Sequence, residues 1–91
     1  MEFEWDWDKD HSNRRKHGVS FLEATTVFDD PLAETVPDPR HSEDEFRFVT
    51  VGYTSLGGLI VVAHTEREER TRIITARKAN ASERRNYESK A

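Results

Sequence analysis

Apolar residues recur at helical spacing in the N-terminal third of the chain, and an apolar run followed by an alternating run stands between Leu59 and Lys78. The apolar run Leu59 to Ala63 leads into HisThrGlu, and from Thr71 to Arg77 apolar and polar positions alternate. Both segments are rich in β-branched residues that suit a pleated surface, so they predict a hairpin with strands over about 59–66 and 71–77. Between them, GluArgGluGluArgThr has neither Gly nor Asn, which predicts a longer loop on a type I turn and not a primed two-residue turn. Phe46 to Thr54 predicts a third strand, joined to Leu59 by the glycine-bearing turn SerLeuGlyGly. If both turns hold an even number of residues, one face carries Arg47, Tyr53, His64, Glu66 and Arg77. The other then carries Phe48, Gly52, Ala63, Ala76 and Lys78, and its small residues admit a helix.

Upstream, Glu2 to Trp5 predicts a short strand. Asp6 is a plausible N-cap for a helix with acids first, bases last and Gly18 as its stop. That helix is weakly amphipathic, with Trp7, His11 and Arg14 on one face. Ser20 to Glu23 forms a capping box, after which Phe21, Ala24, Val27 and Phe28 recur at helical spacing until AspAspPro ends the run. Pro31 to Glu45 holds all three prolines and predicts an irregular connection with a brief strand at 33–36. Asn80 and Glu83 form a second capping box opening a last helix through Arg84, Arg85 and Tyr87. The order β-α-α-β-β-β-α predicts one α+β domain over residues 1–91.

Composition changes this picture in two ways. Apolar residues are 34% and charged residues 35%, so five Phe, two Trp and two Tyr must supply the bulk of a small core. Charge is also unevenly placed: residues 1–46 carry five Lys/Arg against thirteen Asp/Glu, and residues 64–91 carry eight against five. That split predicts an anion-binding face beside an acidic face that holds a basic partner, set against solvated charge as the bland alternative. The absence of cysteine excludes disulfides and thiolate metal sites, and the lack of a long apolar span leads us to expect a soluble cytoplasmic protein with no membrane role. His11, His17, His41 and His64 show no metal-ligand spacing, so neither metal nor other cofactor is expected.

Several fixed pieces then coincide: PheGluTrpAsp at Phe3, LysHisGlyValSerPhe at Lys16, ValPheAspAspPro at Val27, HisThrGlu at His64, IleIleThrAlaArgLysAla at Ile73 and GluArgArgAsnTyrGlu at Glu83. As a set, in this order, they resemble the BrnT family of bacterial type II toxins over nearly the whole chain. The resemblance implies a RelE-like fold, with a small antiparallel sheet, two N-terminal helices and one C-terminal helix. It also implies a ribonuclease activity that inhibits translation and growth. As partner it implies a BrnA-like ribbon-helix-helix antitoxin that binds operator DNA and holds the toxin in a heterotetramer.

Metal-independent RNA cleavage by 2′-OH attack needs a general base, a general acid and cations for the transition-state charge. Arg77 and Arg47 are the expected phosphate clamp, Glu66 the base, and His17 or His64 the acid; a helix C-terminus favours a cationic His17. Lys16, Arg67, Arg72, Lys78 and Arg85 are expected to contact RNA phosphates, and Tyr87 to stack a base or else pack on the sheet. Each has a structural alternative. Glu66 with Arg47 makes a surface ion pair, His64 a core histidine, Lys16-His17-Gly18 a charge-matched helix stop, and Arg77 a pin for the last helix. The rival functional reading is a catalytically inactive domain that binds only antitoxin or nucleic acid.

Overall fold

The computed structural model describes residues 1–38 and 45–90. A five-stranded sheet runs β1 (Glu2–Glu4), β5 (Arg70–Lys78), β4 (Leu59–Arg67), β3 (Arg47–Tyr53), β2 (Glu34–Pro37). β1 lies parallel to β5 and the other pairs are antiparallel, so the expected α+β fold and element order hold, with an antiparallel sheet that takes one parallel strand at its edge. Helices α1 (Trp7–His17) and α2 (Phe21–Thr25), the latter extended by a 3-10 turn over Thr26–Asp29, precede the sheet's long strands, and α3 (Ala81–Glu88) follows them. Residues 39–44 of the predicted connection lie outside the described residues.

The predicted N-caps Asp6, Ser20 and Asn80 all form, but of the two expected capping boxes only the one at Asn80 closes. Ser20 Oγ accepts from Glu23 N–H at 2.9 Å, and Asn80 and Glu83 exchange both bonds of a capping box. The core lies on one face of the sheet, where Val19, Phe21, Ala24 and Val27 meet Ile60, Val62, Ile73 and Ala76. Gly52 sits under this layer because a side chain would not fit: a Cβ there would lie 3.0 Å from Ala33 Cβ and 3.1 Å from Val27 Cγ1. α1, by contrast, is attached by polar anchors. Its buried residues are Asp10 and Asn13. Asn13 donates to Ala76 C=O at 2.7 Å and accepts from Ala76 N–H at 3.2 Å, standing in for a strand neighbour beyond the end of β1. Asp10 accepts from Phe21 N–H at 2.7 Å and so fixes the start of α2.

The register departs from expectation at two points, each a change of one residue. Tyr53 pairs with Leu59, leaving an odd loop, so β4 is turned over relative to β3. The register then shifts between Ala63 and His64, where Ile74 is the extra residue of a bulge and turns Thr75 to Lys78 over again. Arg47 and Arg77, separated by both changes, stay on one face; His64 and Glu66, separated by one, go to the other. The turn is corrected as well. Arg67 pairs with Arg70, and both loop residues have positive φ, Glu68 at 51° and Glu69 at 67°, the primed two-residue type despite the missing Gly and Asn.

Candidate active site on the open sheet face

The face opposite the core carries Arg47, Val49, Val51 and Tyr53 from β3, Leu59, Val61, Ala63 and Thr65 from β4, and Thr75 and Arg77 from β5. α3 crosses one end of it. Its N-terminal turn is tied by Glu83 to Arg77, its C-terminal turn by Tyr87 to Tyr53, and the residue Lys90 beyond it to Glu34 at 2.9 Å. The remainder stays open as a cleft of about 290 Å³, with Asp38, Arg47, Thr75 and Arg77 around an apolar floor of Val49, Val61 and Ala63.

Arg77 meets Glu83 in a two-point fork, Nη1–Oε1 and Nη2–Oε2 both at 2.8 Å, and Nη1 also reaches Lys78 C=O at 3.2 Å. Hydrogen bonding to Glu83 raises the Arg77 pKa above its ordinary value against the cost of burial. The same hydrogen bonds hold the Glu83 carboxyl below its own ordinary value. Arg47 Nε lies 3.7 Å from Glu45, which also takes Arg67 at 3.4 Å. Asp38 is placed beside Arg47 by its amide, which donates to Arg47 C=O at 2.8 Å.

His64 and Glu66 are not part of this cleft, which corrects the expected constellation. His64 is buried on the core side, its ring stacked on Phe48 and edge-on to Phe28, with Nε2 2.7 Å from Thr50 Oγ1. Burial pushes its pKa below the ordinary value, and the Glu66 charge opposes this. Glu66 accepts from Thr71 Oγ1 at 2.7 Å on that same side.

Lys16 and His17 line a groove between α1 and β5 that shares Ile74 and Thr75 with the cleft, so they border it from the side. Arg72 is held by Glu4 at 3.1 Å. Lys78 is exposed on the core-side register, opposite to Arg77, and Arg85 is exposed on α3. Tyr87 is only 6% exposed. Its ring packs edge-on against Tyr53 and its hydroxyl donates to Asp30, which corrects the base-stacking role to packing. Asp38, Thr75 and Glu83 were missed as site residues. Only Glu83 had a signal, as the acid of the capping box, while Asp38 read as part of a proline-bounded connection. Among the described residues no group of three or more His, Asp and Glu is placed to hold a metal ion, and no helix is long and apolar enough to cross a membrane.

Set against known proteins, residues 5–83 match the family model described as the ribonuclease toxin BrnT of type II toxin-antitoxin systems. Among solved structures, the crystal structure of the Brucella abortus ribonuclease toxin BrnT is similar, with a TM-score of 0.69 and 24% identity over 88% of this chain and 97% of that one. No curated protein sequence matches.

Proposed function

Starting from the fact that this chain belongs to the BrnT family of ribonuclease toxins of type II toxin-antitoxin systems, we propose that it is an endoribonuclease working in the open-face cleft without a metal. The observation that carries the reading is the presence of Arg47 and Arg77 on one cleft, the two cations a phosphodiester needs at its non-bridging oxygens. In this reading the RNA 2′-OH attacks the adjacent phosphorus. Asp38 accepts the 2′-OH proton as the 2′-O–P bond forms, and His17 donates a proton to the departing 5′-oxygen as the P–O5′ bond breaks. The products are a 2′,3′-cyclic phosphate and a 5′-hydroxyl. Lys16, beside His17, adds charge along the RNA backbone, and Arg67, Arg72 and Arg85 supply salt-dependent affinity. His64 and Glu66 have no role in this chemistry.

The partner in this reading is a BrnA-like ribbon-helix-helix antitoxin that neutralises the toxin in a heterotetramer and carries it to operator DNA, and the site of action is the cytoplasm. Incubating purified protein with RNA in excess chelator tests the chemistry: cleavage with cyclic phosphate ends is expected, and Arg47→Ala should slow it roughly 100-fold or more. Absence of cleavage by a folded wild type, together with intact antitoxin binding, would favour the inactive binding domain. Growth arrest on expression, reversed by a neighbouring reading frame, tests the biological role.

A further inference from the structure

The groove beside the cleft, of about 500 Å³, is not used by the chemistry above except at its border with His17 and Lys16. It exists for a local reason. β1 pairs with β5 only as far as Arg72, and α1 rejoins the strand's edge only at Ala76 through Asn13. Between those points the bulge at Ile74 and the following Thr75 form a floor with, among the described residues, neither a paired strand nor an anchor against its outer edge.

One wall is a helical stripe in which Asp8, Ser12 and Lys16 recur four residues apart, with Lys9 beside Asp8. An apolar floor with a wall of donors and acceptors matches a nucleobase, which is apolar on its faces and polar along its edge. The order of groups narrows the choice. Asp8 is exposed, its amide is taken by Asp6 at 2.8 Å, and its carboxylate is an acceptor for paired N–H groups; Lys9, the next residue, also lines the groove and brings an ammonium donor. Guanine presents N1–H and the N2 amino group together and adds O6 beside them; uracil presents one N–H between two carbonyls and fits this wall worst.

We propose that the groove is a guanine subsite for the nucleotide flanking the scissile phosphate, with Asp8 accepting from N1–H and the N2 amino group and Lys9 donating to O6. Continuity through Ile74 and Thr75 connects it to the cleft. The inference rests on the reading given under Proposed function for its link to cleavage, but binding can be measured separately.

The test titrates wild-type protein with guanosine, adenosine, cytidine and uridine 3′-monophosphates by NMR, and in parallel measures cleavage of RNAs carrying a single guanosine or adenosine in a uridine background. Guanosine 3′-monophosphate should shift the amides of Ser12, Ile74 and Thr75 and bind roughly tenfold or more tighter than the uridine nucleotide. Asp8→Asn should erase that margin, and inosine in place of guanosine, which lacks the amino group but keeps N1–H and O6, should reduce it. Guanosine-selective binding without any cleavage would sink the ribonuclease reading and support the subsite. Equal binding of all four nucleotides, cleavage without base preference, or a margin unchanged in Asp8→Asn would overturn the subsite.

Discussion

The carboxylate of Glu83 occupies two donors of the Arg77 guanidinium at 2.8 Å each and also accepts the Asn80 N–H at 2.8 Å. One side chain therefore caps α3 and fastens it to the arginine at the edge of the cleft. Because the Arg77 side chain is 43% exposed, water competes for this pair, and its net contribution is about 1 kcal/mol rather than that of a buried fork. Arg77→Ala should lower unfolding free energy by about that much in urea melts while RNA cleavage is lost. Retained cleavage in the folded variant would make Arg77 a pin for α3 alone.

The Arg77–Glu83 pair also sets a pH dependence. Glu83 has a depressed pKa in the folded state, so its stabilisation is present above the ordinary glutamate value and is lost as pH falls through the depressed one. The stability gap between wild type and Glu83→Gln should be full at neutral pH and close in acid. A gap that persists at a pH where Glu83 is seen by NMR to be protonated in the folded protein would show that the charge on Glu83 is irrelevant.

His64 should behave in the opposite region of the titration. Burial lowers its folded pKa against a weaker opposing effect of Glu66, so the unfolded chain takes up a proton first. Stability should therefore decline as pH falls below the ordinary histidine value, at up to about 1.4 kcal/mol per pH unit, and level off below the folded pKa. His64→Gln should flatten this slope and leave neutral-pH cleavage unchanged; a cleavage defect in the folded variant would return His64 to the site.

At the β4–β5 turn, Glu68 and Glu69 hold left-handed backbone that costs non-glycine residues roughly 1–2 kcal/mol each. Replacing the pair with Asn-Gly should raise the unfolding free energy by at least about 1 kcal/mol, measured by thermal or urea denaturation. A decrease would mean that the glutamates make contacts worth more than the strain.

Tyr87 donates to Asp30, which also accepts the amides of Tyr53 and Leu32. Burial raises the Asp30 pKa, but these donors together outweigh it, and the hydrogen bond with burial pushes Tyr87 up to about 12. Tyr87→Phe should destabilise by about 1.5–3 kcal/mol, as expected for a hydrogen bond to a charged group, with no change in RNA affinity. Weakened RNA binding at full stability would restore the base-stacking role.

Hydrophobic period and cap chemistry are local properties, and they made the element order legible. The N-cap at Ser20, the capping box at Asn80 and the stop at Gly18 were all readable because the cap and its partner lie within a few residues, although the Glu23 carboxylate accepts from Thr54 Oγ1 and does not close the box expected at Ser20. The attachment of α1 was not. Asn13 and Asp10 look like surface positions in the sequence, and their partners Ala76 and Phe21 become visible only when the chain is folded.

Local patterning was enough to read the strands, the helices, the family resemblance and the basic character of the last third of the chain. Tertiary structure alone decided which side chains share a face. Side chains alternate with a period of two, so one odd loop at Tyr53–Leu59 and one extra residue at Ile74 each reverse the faces that follow. Arg47 and Arg77 are reunited by the two reversals, while His64 and Glu66, past only one, are carried to the core side. Neither reversal is encoded in the alternation itself; each is set where strands pair, by contacts between residues distant in sequence.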